Sequence, residues 1–79
     1  MNNKKILITE FINQNSLDNL SKKFDVIYDE KLCENKKELK KIVKDYDGLI
    51  IRNKTQLNSD VLKNALKLKF IGRLGVGLD

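Results

Sequence analysis

Four short apolar segments recur along this chain at nearly even intervals, and that spacing limits the possible folds more than any other feature. They are Lys5–Thr9 (KILIT), Asp25–Tyr28 (DVIY), Gly48–Ile51 (GLII) and Lys69–Gly72 (KFIG), with starts 20, 23 and 21 residues apart. Each holds four or five residues, rich in Ile, Val or aromatic side chains and bounded by polar residues or Gly, which predicts buried strands. Apolar character without polar alternation predicts cover on both faces, as in a parallel sheet.

The intervals carry helical patterns. Ser16 is read as the cap of a helix bearing Leu17, Leu20 and Phe24. Asn35 followed by Glu38 resembles a capping box. It opens a helix with Leu39, Ile42, Val43 and Tyr46 on one stripe and lysines largely on the other side. Ser59 with Asp60 opens a third helix, expected to bury Val61, Leu62, Ala65 and Leu66. Loop signals fall at Ile12–Asn15, Asp29–Asn35, Asp47–Gly48 and Asn53–Asn58. The order is βαβαβαβ, an α/β class with right-handed crossovers and a parallel sheet flanked by helices. The segments share no sequence repeat, which excludes a solenoid. Doubly wound sheets usually carry five or six strands, so residues 1–79 read as an incomplete domain. An uncovered sheet face and an open edge would favour self-association or a missing domain as partner.

Composition removes whole classes of chemistry. The chain has no histidine and one cysteine, Cys33, so it holds no imidazole base, no disulfide framework and no Cys-built or His-built metal site. No apolar run exceeds three residues, which excludes a membrane-spanning helix. The opening MNNKK precedes only three apolar residues, too few for a signal-peptide core, so a cytosolic location is expected. The net charge is +5, but 14 of the 16 basic residues are Lys. With nine Asn and eight Ile, this reads as AT-rich coding bias. Nucleic-acid readers lean on Arg for bidentate contacts, so no nucleic-acid partner is expected.

In open parallel sheets, ligands bind beyond the carboxyl ends of the strands. That rule selects Thr9–Phe11 after the first strand, Arg52 to Thr55 after the third, and Arg73 to Asp79 after the fourth. If strands one, three and four are neighbours, the three segments line one crevice. It would hold two guanidinium groups and the backbone N–H groups of a Gly-rich turn, an anion site for a small carboxylate or phosphate. Gly72, Gly75 and Gly77 run in the order G-x-x-G-x-G, which is not the dinucleotide fingerprint G-x-G-x-x-G. No cofactor site is therefore assigned to the chain. Glu10 ends the first strand and could face the crevice, but it is read as a surface or capping residue; Cys33 is read as a bland small residue, Tyr28 and Tyr46 as packing residues, and the lysine face of the second helix as solvated.

The segment LIIRNKTQLNSDVLKNALKLKFIGRLGVGLD resembles the N-terminal part of the D-isomer-specific 2-hydroxyacid dehydrogenases, and within them the D-3-phosphoglycerate dehydrogenase branch. The pattern is strand-Arg-x-x-Thr, a helix, then Leu-Lys-x-Ile-Gly-Arg-x-Gly-x-Gly-x-Asp. KILITEFI suits the family too, and the likeness is strong from Asp47 to Asp79 and weak between Asn13 and Lys44. The resemblance implies a flavodoxin-like substrate-binding domain, discontinuous around an inserted Rossmann domain that binds NAD. It also implies that the backbone N–H groups of Val76 and Gly77 hold a substrate carboxylate. Arg52 and Arg73 then sit near a substrate phosphate, with Asn53 and Thr55 as weaker neighbours. The family's catalytic histidine and nucleotide glycines would lie beyond Asp79, so the 79 residues alone are expected to be inactive, with no catalytic residue among them. A non-enzymatic module that associates with itself or a partner is the competing reading. A receiver-like signalling domain is disfavoured, because it wants an acidic cluster after strand one and Asp after strand three, where Thr9-Glu10 and Arg52 stand.

Overall fold

Strand β1 (Lys5–Ile8) lies between β2 (Asp25–Tyr28) and β3 (Gly48–Ile51), and β4 (Phe70–Arg73) extends the sheet beyond β3. This is a computed structural model, and it describes residues 4–73. All three strand pairs are parallel, with Leu7 opposite both Ile27 and Leu49, and Leu49 opposite Ile71. The order β2-β1-β3-β4 is the first four strands of the flavodoxin-like order. Strands one, three and four are neighbours, so their carboxyl ends open on the same side of the molecule.

The strand pleat separates two cores. On one face, Ile6, Ile8 and Ile50 pack with Ile12 and with Leu17, Leu20 and Phe24 from the α1 region (helix Gln14–Lys23). On the other, Leu7, Leu49 and Ile51 pack with Leu39 of α2 (Lys36–Ile42), Val43, Tyr46 and Val61 of α3 (Ser59–Asn64). Two-sided cover holds for the central strands only: Leu7 and Leu49 are 0 % exposed, whereas Ile27 on β2 is 43 % and Ile71 on β4 is 45 % exposed. An apolar run shows that a strand can be covered; position in the sheet decides whether it is.

Each of the three α-helices is capped by asparagine. The Asn13 side chain accepts from the Ser16 N–H at 2.8 Å, Asn35 from Glu38 at 3.2 Å and Asn58 from Val61 at 3.0 Å. The Asn35 cap agrees with the sequence expectation. The other two correct it: α1 begins at Gln14 with Asn13, not Ser16, as cap, and Asn58, not Ser59, caps α3. Ile12 before the first cap packs in the same cluster as Leu17, the staple that orients chain entry into α1. Leu62 and Leu66 are further corrections: Leu62, on the outer side of α3, is 44 % exposed. The helix ends at Asn64, Ala65 turns out of helical geometry (φ −85°, ψ 63°), and Leu66 is left 84 % exposed while Leu68 packs on the core instead.

Gly48 leaves room for a close approach of side chains. A Cβ there would overlap the ring of Phe70 and Cδ1 of Ile6, because Phe70 lies across β3 towards Phe24, with ring centroids 6.5 Å apart. Gly48→Val is expected to destabilise the fold by about 1–3 kcal/mol through overpacking. Urea unfolding should show a lower midpoint at an unchanged slope.

Candidate functional site

At the carboxyl end of the sheet, the segments after β1, β2 and β3 are tied to one another. The Thr9 N–H donates to the Ile50 carbonyl, the Asp29 N–H to the Ile8 carbonyl and the Cys33 N–H to the Thr9 carbonyl, at 3.0–3.2 Å. Between them opens a cleft of about 510 Å³ lined by parts of Glu10–Phe11, Glu30–Glu34 and Arg52–Lys54. Its cations are Lys31, Arg52 and Lys54.

The loop after β3 is built around one buried carboxylate. Glu10 is 2 % exposed, and it accepts the backbone N–H groups of Arg52 (2.9 Å), Lys54 (2.9 Å) and Thr55 (2.6 Å). Thr55 turns its hydroxyl inward, 2.8 Å from the Thr9 hydroxyl, with both residues buried. Thr55 therefore shapes the loop from inside. Arg52 is half-buried, and its Nη1 donates to the Phe11 carbonyl at 3.2 Å. Asn53 and Lys54 are exposed on the rim.

Arg73 ends β4, exposed, at the same end of the sheet as Arg52. It is paired with Ile51, so the two share a face, and Arg52, the next residue along, turns to the opposite one. The two arginines thus flank the sheet end from its two sides, and Arg73 is not among the residues lining the cleft. Val76 and Gly77 lie outside the described residues. Glu10 is a partial correction: it does cap, but as a buried group and not at the surface. A carboxylate this deeply set needs several donors, and the loop after β3 supplies them.

Burial pushes the Glu10 carboxyl up, but the Thr55 hydroxyl and the three loop N–H groups outweigh it and hold the group below its ordinary value. At the opposite end of the sheet, the Asp47 carboxylate accepts the Lys5 N–H at 2.8 Å; that bond, against burial and with help from Lys67, Lys4 and Lys69, also holds it low. Both folded values lie below the unfolded ones. Their stabilisation is complete above the ordinary carboxylate range, near pH 4, and is lost as pH falls through the lowered values. The thermal midpoint is expected to drop steeply below about pH 4. Replacing Glu10 with glutamine should shallow that drop. The Cys33 thiol is pushed up by burial and by the charges of Glu10 and Glu34, and it donates to the Glu30 carbonyl at 3.3 Å. It should alkylate with iodoacetamide more slowly at pH 8 than a free cysteine does.

The cleft thus lies at the carboxyl ends of neighbouring parallel strands, the end at which open α/β sheets bind ligands, and it is lined by Lys31, Arg52 and Lys54 and by Glu10, Glu30 and Glu34. Residues 6–79 match the D-isomer specific 2-hydroxyacid dehydrogenases, over the part described as their catalytic domain. The chain belongs to this family. Among similar dehydrogenases is a D-3-phosphoglycerate dehydrogenase of Methanocaldococcus jannaschii, 39 % identical over 95 % of this chain and 14 % of its own length. An (S)-sulfolactate dehydrogenase of Chromohalobacter salexigens is 32 % identical over 94 % of this chain and 24 % of its own. A crystal structure of a Pyrococcus horikoshii protein superposes over all of this chain and 23 % of that one, with a TM-score of 0.86 and 29 % identity. The chain therefore spans about a seventh to a quarter of the length of these three relatives.

The described residues do not suit a dinucleotide. The strand-to-helix turn after β1 is Thr9-Glu10-Phe11-Ile12-Asn13, without glycine and with a buried carboxylate where a pyrophosphate would need bare N–H groups. No helix among these residues is long and apolar enough to cross a membrane.

Proposed function

We propose that this chain is the N-terminal segment of the substrate-binding domain of an NAD-dependent D-3-phosphoglycerate dehydrogenase. The enzyme would oxidise 3-phosphoglycerate to 3-phosphohydroxypyruvate on the route to serine, in the cytosol. NAD then belongs to a part of the enzyme outside these 79 residues. The segment contributes the anion site. Arg52, at the cleft mouth, offers a planar cation suited to a phosphate, with Arg73 on the other side of the sheet end. Val76 and Gly77 offer backbone N–H groups to the carboxylate, and Asn53 adds a polar rim contact. The observation that carries the reading is Arg52 on a loop pinned over the cleft.

Titration of 3-phosphoglycerate into the ¹⁵N-labelled chain tests it. Amide shifts are expected at Arg52, Arg73, Val76 and Gly77, with weak affinity. Shifts spread over the lysine face of α2 would overturn the assignment. The 79 residues contain no histidine to exchange the hydroxyl proton, so no NAD reduction by the isolated chain is expected in an absorbance assay at 340 nm.

A second reading, self-association, rests on the exposed apolar edge of β4, where Phe70 is 39 % and Ile71 45 % exposed. Ile71→Lys should then raise the fraction of monomer in sedimentation velocity. An unchanged distribution would remove that edge as the contact.

A further inference from the structure

The deepest-set ionised group of the cleft is one that an anion would avoid. Glu10 sits at its base, and a negative charge there opposes a phosphate at Arg52. Its geometry explains why it is tolerated. Two carboxylate oxygens gather three N–H donors from four consecutive residues, Arg52 to Thr55. The next residue, Phe11, supplies the carbonyl that receives the Arg52 guanidinium. The Arg52 main chain and side chain are thus both anchored to the dipeptide Glu10-Phe11. A glutamine has a single acceptor oxygen, and its NH₂ would face loop N–H groups.

We propose that Glu10 is the positioning residue of the anion site: its buried carboxylate holds the 52–55 loop so that Arg52 meets the ligand in one orientation. The inference rests on the reading of Arg52 as an anion contact. It makes a prediction opposite in sign to simple electrostatics. Removing a nearby negative charge should tighten anion binding if charge alone matters. If Glu10 acts by positioning, the same change weakens it.

The test is Glu10→Gln in the full 79-residue chain, titrated with 3-phosphoglycerate by NMR. The expected result is about a tenfold rise in Kd, the equivalent of one lost charge-assisted hydrogen bond, with faster exchange of the Arg52, Lys54 and Thr55 amides. Val61→Ala, a core truncation away from the cleft, controls for stability: it should lower the unfolding midpoint and leave Kd unchanged. If Glu10→Gln does not fold, Glu10→Asp keeps the charge but withdraws it by one methylene, and weaker binding with faster loop exchange is again expected. Binding at Arg52 that is equal or tighter in the variant would overturn the positioning role and leave the anion site standing. If 3-phosphoglycerate causes no shift at Arg52 in the unmodified chain, the anion-site reading fails instead. Glu10 is then judged on the loop amides alone, where unchanged exchange refutes its hold on the loop.

Discussion

Replacing Leu49 with alanine is expected to lower the unfolding free energy by about 2–5 kcal/mol. Leu49 is 0 % exposed, lies on the central strand β3 opposite Leu7 and Ile71, and faces the cluster that includes Leu39, Val43 and Val61. Strand and helix backbones surround the site on all sides, so collapse around a missing isobutyl group is limited and a cavity remains. A chain of this length has roughly 4–12 kcal/mol of stability in total. The substitution therefore removes a large share, and urea denaturation at 25 °C should show a strongly lowered midpoint. Leu66→Ala is the contrast. At 84 % exposure it should change stability by less than about 0.5 kcal/mol. Equal effects at the two positions would contradict the placement of the core.

Arg52→Met is expected to weaken 3-phosphoglycerate binding by about 10- to 100-fold while leaving the fold intact, the range for losing charged hydrogen bonds. Methionine keeps much of the unbranched stem, so the packing of the aliphatic portion is retained. The backbone N–H of residue 52 still donates to Glu10, so the loop is expected to stay in place. Only the guanidinium is lost, with its bond to the Phe11 carbonyl and its planar presentation to an anion. Arg52→Lys should recover only part of the affinity, because an ammonium offers a point charge and no fork. Arg73→Met should have a smaller effect, since Arg73 stands outside the cleft and turns to the other face of the sheet. Comparable losses at both arginines would show that the ligand spans the sheet end, and no loss at Arg52 would remove the cleft from consideration.

Local pattern made much of this fold legible. All four strands were readable from apolar runs, and their spacing implied helices between parallel strands. The Asn35 cap was readable because Glu38 stands three residues on. Asn13 and Asn58 were missed in favour of Ser16 and Ser59, since cap-forming residues stood close together and local preference does not rank them. Residue type and the end-of-strand rule pointed to Arg52 and Asn53, and the structure places both on the cleft lining. The burial of Glu10 and Thr55 was not legible there, because a buried carboxylate or hydroxyl depends on partners 42 to 46 residues away.

By itself the sequence determined the α/β order, the family and the residue types at the carboxyl ends of the strands, because periodicity and motif spacing are properties of the chain alone. Tertiary structure decided which strands are covered, that the Arg52 loop is wound around Glu10, and that Arg52 and Arg73 face opposite sides of one sheet end. Those outcomes depend on strand register, and in a pleated sheet a shift of one residue reverses the face that every side chain presents.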